Sequence, residues 1–157
     1  MQNRLKAVMP YVISIIIGIL VAVIVKLIFC PLIIRGESME PTYHDSDIVR
    51  CTTDFTAETL KRGEVIAYNN DGKIVVKRII ALPGEEIAVM DRYVYIDGVR
   101  MDKENVDDAG ILAVKSVRLE VNEYFCLGDN REKSRDSRYT GPVQYENIRY
   151  RVEGLLY

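Results

Sequence analysis

The chain has 157 residues and a formal net charge of −2. This length allows one modest domain, and the near-neutral charge gives no sign of a general nucleic-acid binder, so no nucleic-acid partner is expected. Hydrophobic residues make up 48% of the chain and charged residues 28%. Because the apolar excess is concentrated near the N-terminus, the composition predicts an anchor followed by a soluble domain.

Residues 8–25, VMPYVISIIIGILVAVIV, contain no charged side chain. As a helix they would be about 27 Å long, and continuing to Phe29 gives about 33 Å, enough to cross a hydrocarbon core of about 30 Å. The run therefore predicts a transmembrane helix over residues 8–29. A cleaved signal peptide, a lipoprotein cysteine at Cys30 and a buried soluble helix are alternatives. The length of the run, the bulky Phe29 and the small size of the domain disfavour them.

The charges on either side of this run predict its orientation. The tail, residues 1–7, carries Arg4 and Lys6 and no acidic residue, whereas residues 35–47 carry one arginine and four acidic residues. The positive-inside rule then places the tail in the cytoplasm and residues 30–157 outside a cell membrane that the chain crosses once. Lys26 argues weakly for the reverse orientation. Membrane lipid is accordingly an expected partner.

The rest of the chain contains segments rich in Val, Ile and Tyr. The sequences NNDG, PGE and DG lie between several of them and supply the positive-φ residues that tight turns require. We therefore expect a mainly β domain, with one short helical turn in TAETLKRG. The predicted strands are residues 47–51, 63–69, 73–82, 86–96 and 116–127.

The cysteines and the histidine offer little for metal chemistry. There are three cysteines and one histidine, and their spacing matches no zinc site, so no metal is expected. A disulfide between Cys51 and Cys126 is the alternative left open for an exported domain, although we expect it not to form.

The first candidate for chemistry is Ser38, which lies between two acidic residues in RGESMEPT. A serine nucleophile needs a base, because its hydroxyl is almost never ionised at neutral pH. His44 is the only histidine and lies in a predicted loop, where a solvated side chain is more usual. The other choice is a lysine whose pKa is lowered by burial.

Lys77 fits that requirement, because it shares one face of the predicted strand KIVVKRIIAL with Val75 and Ile79. An ammonium group would be difficult to hydrate there. Strand parity leaves open that Arg78, on the opposite face, is the buried residue, or that Lys77 extends to an edge. Only lysine can serve as a base, since arginine is not deprotonated in proteins.

A charged loop, GDNREKSRDSRYTG, surrounds Ser134. A solvated loop is the usual interpretation of such a stretch. Arginine–carboxylate pairs could instead hold it in place, so that Ser134 hydrogen-bonds the lysine amine and orients it. The two pairs suggested by the spacing are Asp129 with Arg131 and Asp136 with Arg138.

Taken in order, the uncharged run, SMEPT, VVKRIIALPGE and GDNREKSRDSRYTG resemble the bacterial type I signal peptidases, or leader peptidases, in their single-anchor Gram-positive form. The matched blocks span residues 38–141 and, with the anchor, most of the chain. The resemblance implies a small antiparallel β catalytic domain in which residues 83–127 form a reduced accessory β region. It also implies a membrane-anchored serine endopeptidase that removes signal peptides from exported preproteins with a Ser–Lys dyad and without a cofactor.

By this resemblance Ser38 matches the nucleophile, Lys77 the general base and Ser134 the serine that positions the lysine. Met39 matches an apolar position near the membrane surface. Gly36 stands where some members have a hydroxyl that stabilises the oxyanion. A backbone N–H or an ordered water is expected to take its place, with the Ser38 N–H as the other donor. The residues expected to support the site are Asp129, Arg131, Asp136 and Arg138.

Two other functions stay open. A self-cleaving serine–lysine regulator of the SOS-repressor type has a DNA-binding segment where this chain has its uncharged run. A catalytically inactive, membrane-tethered β module that only binds partners would not require Ser38, Lys77 and Ser134 together.

Overall fold

A computed structural model describes residues 2–90, 93–101 and 113–156. The chain begins with a helix, α1 (Gln2–Phe29), of 28 residues with Pro10 inside it. Its large apolar side chains described between residues 9 and 23 are each 44% to 72% exposed. In the described part of the chain, no helix has the length and hydropathy required of a membrane span.

The body of the protein consists of two antiparallel sheets. The strands of the larger sheet are β1 (Pro31–Ile33), β2 (Ile48–Thr52), β3 (Val65–Asn70), β4 (Lys73–Ala81), β9 (Glu123–Leu127), β10 (Val143–Gln144) and β11 (Ile148–Leu155). Their order is β1-β2-β11-β3-β4-β9-β10. The smaller sheet contains β5 (Glu86–Met90), β6 (Tyr93–Ile96), β7 (Val99–Arg100) and β8 (Val114–Arg118), in the order β7-β6-β5-β8. A short helix, α2 (Ser137–Thr140), follows β9.

The tight turns form where the sequence predicts them. Asn70 pairs with Lys73, so Asp71 and Gly72 alone connect β3 to β4, with φ angles of 51° and 82°. Two consecutive positive φ values are typical of a type I′ turn, whose twist matches that of the flanking strands. The DG sequence between β6 and β7 has the same pattern, with φ angles of 49° and 76°.

Three buried apolar clusters form the core of the described residues. The third of them fixes the position of the loop that follows β1. In this cluster Ile34 and Met39 of the loop pack with Val49 and Cys51 of β2 and with Val152 of β11. Because Met39 is 1% exposed, the loop is held to the domain by a side chain from its own interior.

The expectation of a mainly β domain is confirmed, with several differences in detail. The predicted strand 116–127 divides into β8 and β9 at a turn in which the Glu123 N–H donates to the Glu120 carbonyl oxygen at 3.1 Å. The predicted strand 86–96 corresponds to β5 and β6, and its residues 91–92 lie outside the described residues, as do residues 102–112 of the predicted accessory region. The smaller sheet falls inside that region, residues 83–127, but β9 at its end belongs to the larger sheet.

Candidate active site

Ser38 lies in the loop between β1 and β2. Ile34 closes this loop, because its N–H donates to the Asp47 carbonyl oxygen at 2.8 Å and its own carbonyl accepts from the Ser46 N–H at 3.0 Å. Ser38 is half-buried, while the next side chain, Met39, is part of the core. The Met39 side chain therefore packs inside the domain, and its proximity to a membrane stays a prediction.

Lys77 is the buried member of the Lys77–Arg78 pair, at 4% exposed. Its Nζ donates to Ser38 Oγ at 2.7 Å and to the Val76 carbonyl oxygen at 2.9 Å. The fold thus brings together two side chains that are 39 positions apart in the sequence. Strand parity left open whether Lys77 or Arg78 is the buried residue, and the structure shows that it is Lys77.

The surroundings of Lys77 disfavour its charged form. Burial lowers the pKa of Lys77 from 10.5, and Asp136, Cys126 and Asp129 oppose this shift in part. Burial is the larger effect because an ammonium group in the interior loses its hydration. The neutral amine, which has a lone pair, is therefore more populated at moderate pH than in a solvated lysine.

His44, the other candidate base, faces solvent. Its side chain is 66% exposed, with Nδ1 at 3.9 Å from an Asp47 carboxylate oxygen. Its backbone N–H donates to the same carboxylate at 2.7 Å. Ser38 Oγ takes its hydrogen bond from Lys77, so the lysine occupies the position that a general base requires.

Gly128, at the end of β9, lies against both serines of the site. A β-carbon added there would lie 2.2 Å from Ser134 Oγ and 2.5 Å from the Ser38 carbonyl oxygen. The nearby Asn130 N–H donates to that same carbonyl oxygen at 3.1 Å. Glycine at 128 therefore lets the loop after β9 approach the backbone of Ser38. Sequence reasoning missed this role, because a GD pair after a strand looks like an ordinary turn.

Ser134 is buried at 5% exposed, and its Oγ has no hydrogen-bond partner among the described residues. The hydrogen bond to Lys77 that the resemblance implies is thus not formed in this structure. A buried hydroxyl without a partner is unusual and costs free energy. The orienting role of Ser134 stays a prediction.

A buried ion pair organises the loop that carries Ser134. The Asp136 carboxylate, with the residue 0% exposed, accepts from Arg138 Nε at 2.8 Å and from Arg138 Nη2 at 2.9 Å. The same carboxylate accepts the Gly128 N–H at 3.0 Å, and Arg138 Nη2 also donates to the Arg131 carbonyl oxygen at 2.7 Å. Arg131 Nε donates to the Gly128 carbonyl oxygen at 2.8 Å. These contacts connect both ends of the loop to one another.

Asp129 connects the loop to the two elements that carry Ser38 and Lys77. Its carboxylate accepts from Arg78 Nε at 2.8 Å and Nη2 at 2.6 Å, and from Thr42 Oγ1 at 2.5 Å. The hydrogen bond with Asp129 raises the pKa of Arg78. The spacing suggested Arg131 as the partner of Asp129 and gave no indication of Arg78 or Thr42. The sequence feature that could have indicated this contact is Arg78 itself, a charged residue next to Lys77 on the opposite face of a largely apolar strand.

Gly36 adopts a φ of +83°, a region that favours glycine. Its N–H donates to Asp45 Oδ1 at 2.6 Å, and this bond lowers the pKa of Asp45. A contribution of the Gly36 N–H to an oxyanion hole would require this bond to break. The Ser38 N–H stays the predicted donor.

A cleft with a volume of about 320 Å³ opens beside Ser38 and Lys77. Residues 32–35 line one side, and residues 74–77 of β4 line the other. Beyond its pairing with β3, β4 begins its ladder with β9 only at Arg78. Within the described residues, both β1 and the first half of β4 therefore have an unpaired edge next to the cleft.

Among residues 2–90, 93–101 and 113–156, no group of three or more His, Cys, Asp or Glu side chains is placed to hold a metal ion. Cys51 and Cys126 are free thiols in different clusters of the core.

A serine hydroxyl that contacts a buried amine beside an apolar cleft is the arrangement expected of a serine hydrolase. A family model for signal peptidases, peptidase S26, matches residues 6–157. The chain belongs to this family and is a serine peptidase.

Relatives from Bacillus and Staphylococcus support this assignment. A signal peptidase I of Bacillus amyloliquefaciens is 32% identical over 149 residues, covering 87% of this chain and 80% of the relative. A signal peptidase IB of Staphylococcus aureus strain COL is 29% identical over 164 residues, covering 91% and 86%. A crystal structure of a signal peptidase I from Enterococcus faecalis V583 is 30% identical and covers 63% of this chain and 97% of its own, with a TM-score of 0.48.

Proposed function

We propose that this chain removes signal peptides from exported preproteins, with Ser38 as nucleophile and Lys77 as general base. The observation that carries the proposal is the 2.7 Å contact between Lys77 Nζ and Ser38 Oγ, made by a lysine that is 4% exposed. Relatives named signal peptidase I support the choice of substrate. A Ser–Lys dyad does not by itself specify a substrate. We therefore infer the substrate from the relatives and the chemistry from the geometry of Ser38 and Lys77.

The reaction begins with neutral Lys77. The Ser38 hydroxyl donates its proton to the amine as Oγ attacks the scissile carbonyl carbon. The Lys77 ammonium then protonates the leaving amine, and an ester between Ser38 and the signal peptide remains. Lys77 next takes a proton from the attacking water, which releases the peptide and restores Ser38. The Val76 carbonyl oxygen, 2.9 Å from Nζ, limits the positions that the amine can adopt during these transfers.

An extended substrate would lie between the two unpaired strand edges. A peptide strand added there would form main-chain hydrogen bonds, while its side chains enter the cleft beside Ser38. The walls contributed by Ile33, Ile74 and Val75 are aliphatic. Aliphatic walls support the preference that the family resemblance implies, for small apolar side chains one and three residues before the cleaved bond.

The remaining parts of the proposal are the supporting residues and the membrane anchor. Contacts of Asp129, Arg131, Asp136 and Arg138 connect the elements of the site, which supports a positioning role. For the anchor, the support is the uncharged run over residues 8–25 and the charges on either side of it. We propose that the domain works at the outer face of the cytoplasmic membrane, where cleavage sites emerge.

The test is cleavage of a preprotein by the detergent-solubilised chain. Ser38→Ala and Lys77→Ala should each lower the turnover rate by at least about 10³-fold, because each removes one member of the proton-transfer pair. Lys77→Arg should be as inactive, since it keeps the charge and cannot supply a base.

Matched controls lie close by in the structure. Lys73 is an exposed lysine on the same strand as Lys77, and Ser46 is an exposed serine in the same loop as Ser38. Lys73→Ala and Ser46→Ala should retain near-normal activity. Full activity in Ser38→Ala or in either Lys77 variant would eliminate the mechanism, while cleavage of unrelated peptides alone would eliminate the substrate.

A further inference from the structure

Two cysteines lie opposite each other where α1 meets β1. Pro31 pairs with Arg50 across β1 and β2, and the next positions in this register are Cys30 and Cys51. The Cys51 N–H donates to the Cys30 carbonyl oxygen at 3.2 Å, which extends the ladder by one pair. Cys30 has a φ of +35° and so leaves the extended conformation, which means that this one bond and the register next to it hold the pair together. Opposite residues in an antiparallel ladder have Cα atoms about 4.5–5.5 Å apart, within the range of about 4.4–6.8 Å that a disulfide spans.

Both side chains also pack in the same apolar cluster. Cys51 belongs to the buried cluster that contains Ile34 and Met39, and Cys30 packs against the same cluster. Burial, and after it the neighbouring Cys30, raise the pKa of the Cys51 thiol to about 12. Both thiols are free, and neither takes part in the proposed peptidase chemistry.

We propose that Cys30 and Cys51 form a disulfide when the protein meets an oxidising thiol–disulfide couple, and that Cys126 stays reduced. Cys126 is 0% exposed and lies in a different cluster, with Tyr68 and Tyr124. The bond would close the loop over residues 30–51, which carries Ser38. An orientation with the domain outside the membrane would place the pair where such oxidants are present.

The oxidant is a low-molecular-weight disulfide. Cys30, the more exposed thiol, attacks as its thiolate on one sulfur of this compound, whose S–S bond breaks and releases one small thiol. The Cys51 thiol then loses its proton and attacks the Cys30 sulfur, which releases the second small thiol. Two protein thiols are oxidised to one disulfide, and one small disulfide is reduced to two thiols.

The bond should stabilise the folded protein. Closing a loop of this size reduces the freedom of the unfolded chain, and the expected rise in Tm is roughly 5–10 °C. The gain should be absent in Cys30→Ser and in Cys51→Ser. It should be retained in Cys126→Ser, which is the matched control.

The experiment uses the full chain in detergent, treated with oxidised glutathione and compared with a sample kept in reduced glutathione. Free thiols are alkylated in denaturant, and tryptic peptides are mapped by mass spectrometry, since cleavage after Arg35 and Arg50 separates the two cysteines. We expect one alkylated thiol, at Cys126, and one linked peptide pair joining Cys30 to Cys51.

Several results would overturn the proposal. These are three alkylated thiols after oxidation, a glutathione adduct that persists on Cys30, a link to Cys126, or a link between two chains. If Cys126→Ser fails to fold, the peptide map of the unmodified chain decides alone. The map does not depend on peptidase activity, so its failure and the failure of the proposed function can be told apart.

Discussion

The Gly128→Ala variant provides a sharp test of how the loop after β9 supports the site. The backbone of Gly128 lies outside the positive-φ region, so alanine can adopt it and the effect is steric. The added β-carbon would lie 2.5 Å from the Ser38 carbonyl oxygen, whereas ordinary contact begins at 3.4 Å, so a shift of about 0.9 Å is required. Ser134 can respond partly by rotating its hydroxyl, but the Ser38 carbonyl moves only with the backbone of Ser38, the proposed nucleophile.

Such a shift is about a third of the 2.7 Å distance between Ser38 Oγ and Lys77 Nζ, which is enough to disrupt this hydrogen bond. A displacement of about 1 Å at reacting groups costs about 10²-fold in rate, and overpacking typically costs about 1–3 kcal/mol of stability. We therefore expect kcat/KM for preprotein cleavage to fall about 10²-fold in Gly128→Ala, with a lower urea midpoint.

The double variant Gly128→Ala/Ser134→Gly separates the two contacts. It removes the overlap with the Ser134 side chain but retains the overlap with the Ser38 carbonyl oxygen, so stability should recover from the level of Gly128→Ala. Activity should stay below that of Ser134→Gly alone, which is the control for the predicted orienting role of Ser134. Wild-type activity in Gly128→Ala would refute the idea that close approach at this glycine positions the nucleophile.

Four further outcomes follow from the charged groups. Because burial lowers the pKa of Lys77, the rising limb of kcat/KM against pH should lie below 10.5, and a limb at 10.5 would contradict a buried base. Between that lowered pKa and 10.5, Lys77 is protonated in the unfolded chain and neutral in the folded chain. The free energy of unfolding therefore rises with pH over this interval because of Lys77. In urea titrations at several pH values, Lys77→Met should remove this contribution. Arg78→Met leaves the Asp129 side chain, which is 1% exposed, without its arginine and should lower the free energy of unfolding by about 3–5 kcal/mol. The double variant Arg78→Met/Asp129→Asn should restore part of this loss. If it restores nothing, the two side chains do not interact. Asp136→Asn should cost a similar amount, whereas Glu37→Gln, in the exposed ion pair with Lys133, should leave the denaturation midpoint unchanged.

The β character of the domain was predictable because its signals are local. Val- and Ile-rich segments and DG turns act over a few residues, and both DG turns form as expected. β11 was missed, although IRYRVEGL alternates apolar and charged side chains over most of its length. Charged side chains at several positions made this segment resemble an edge strand or a loop, whereas β11 lies between β2 and β3 inside the sheet.

For the candidate site, residue type indicated which side chains could take part in chemistry, and their roles stay predictions. Lys77 and Ser38 could be nominated from residue type and apolar surroundings, but the choice between Lys77 and Arg78 needed the packing. The contact of Arg78 with Asp129 joins residues 51 positions apart, and no spacing rule reveals it. The close approach at Gly128 depends on two other segments and is equally invisible to local patterns.

The position of β11 has a consequence for chains that end before it. β1 and β2, with the loop that carries Ser38, lie on one side of this strand, and β3 and β4, with Lys77, lie on the other. Residues 148–155 thus join two halves that are consecutive in the chain but are not paired to each other directly in the sheet. Because β11 is the last of the described strands in the chain, a chain that ends before it would carry both residues without the strand that lies between their halves of the sheet.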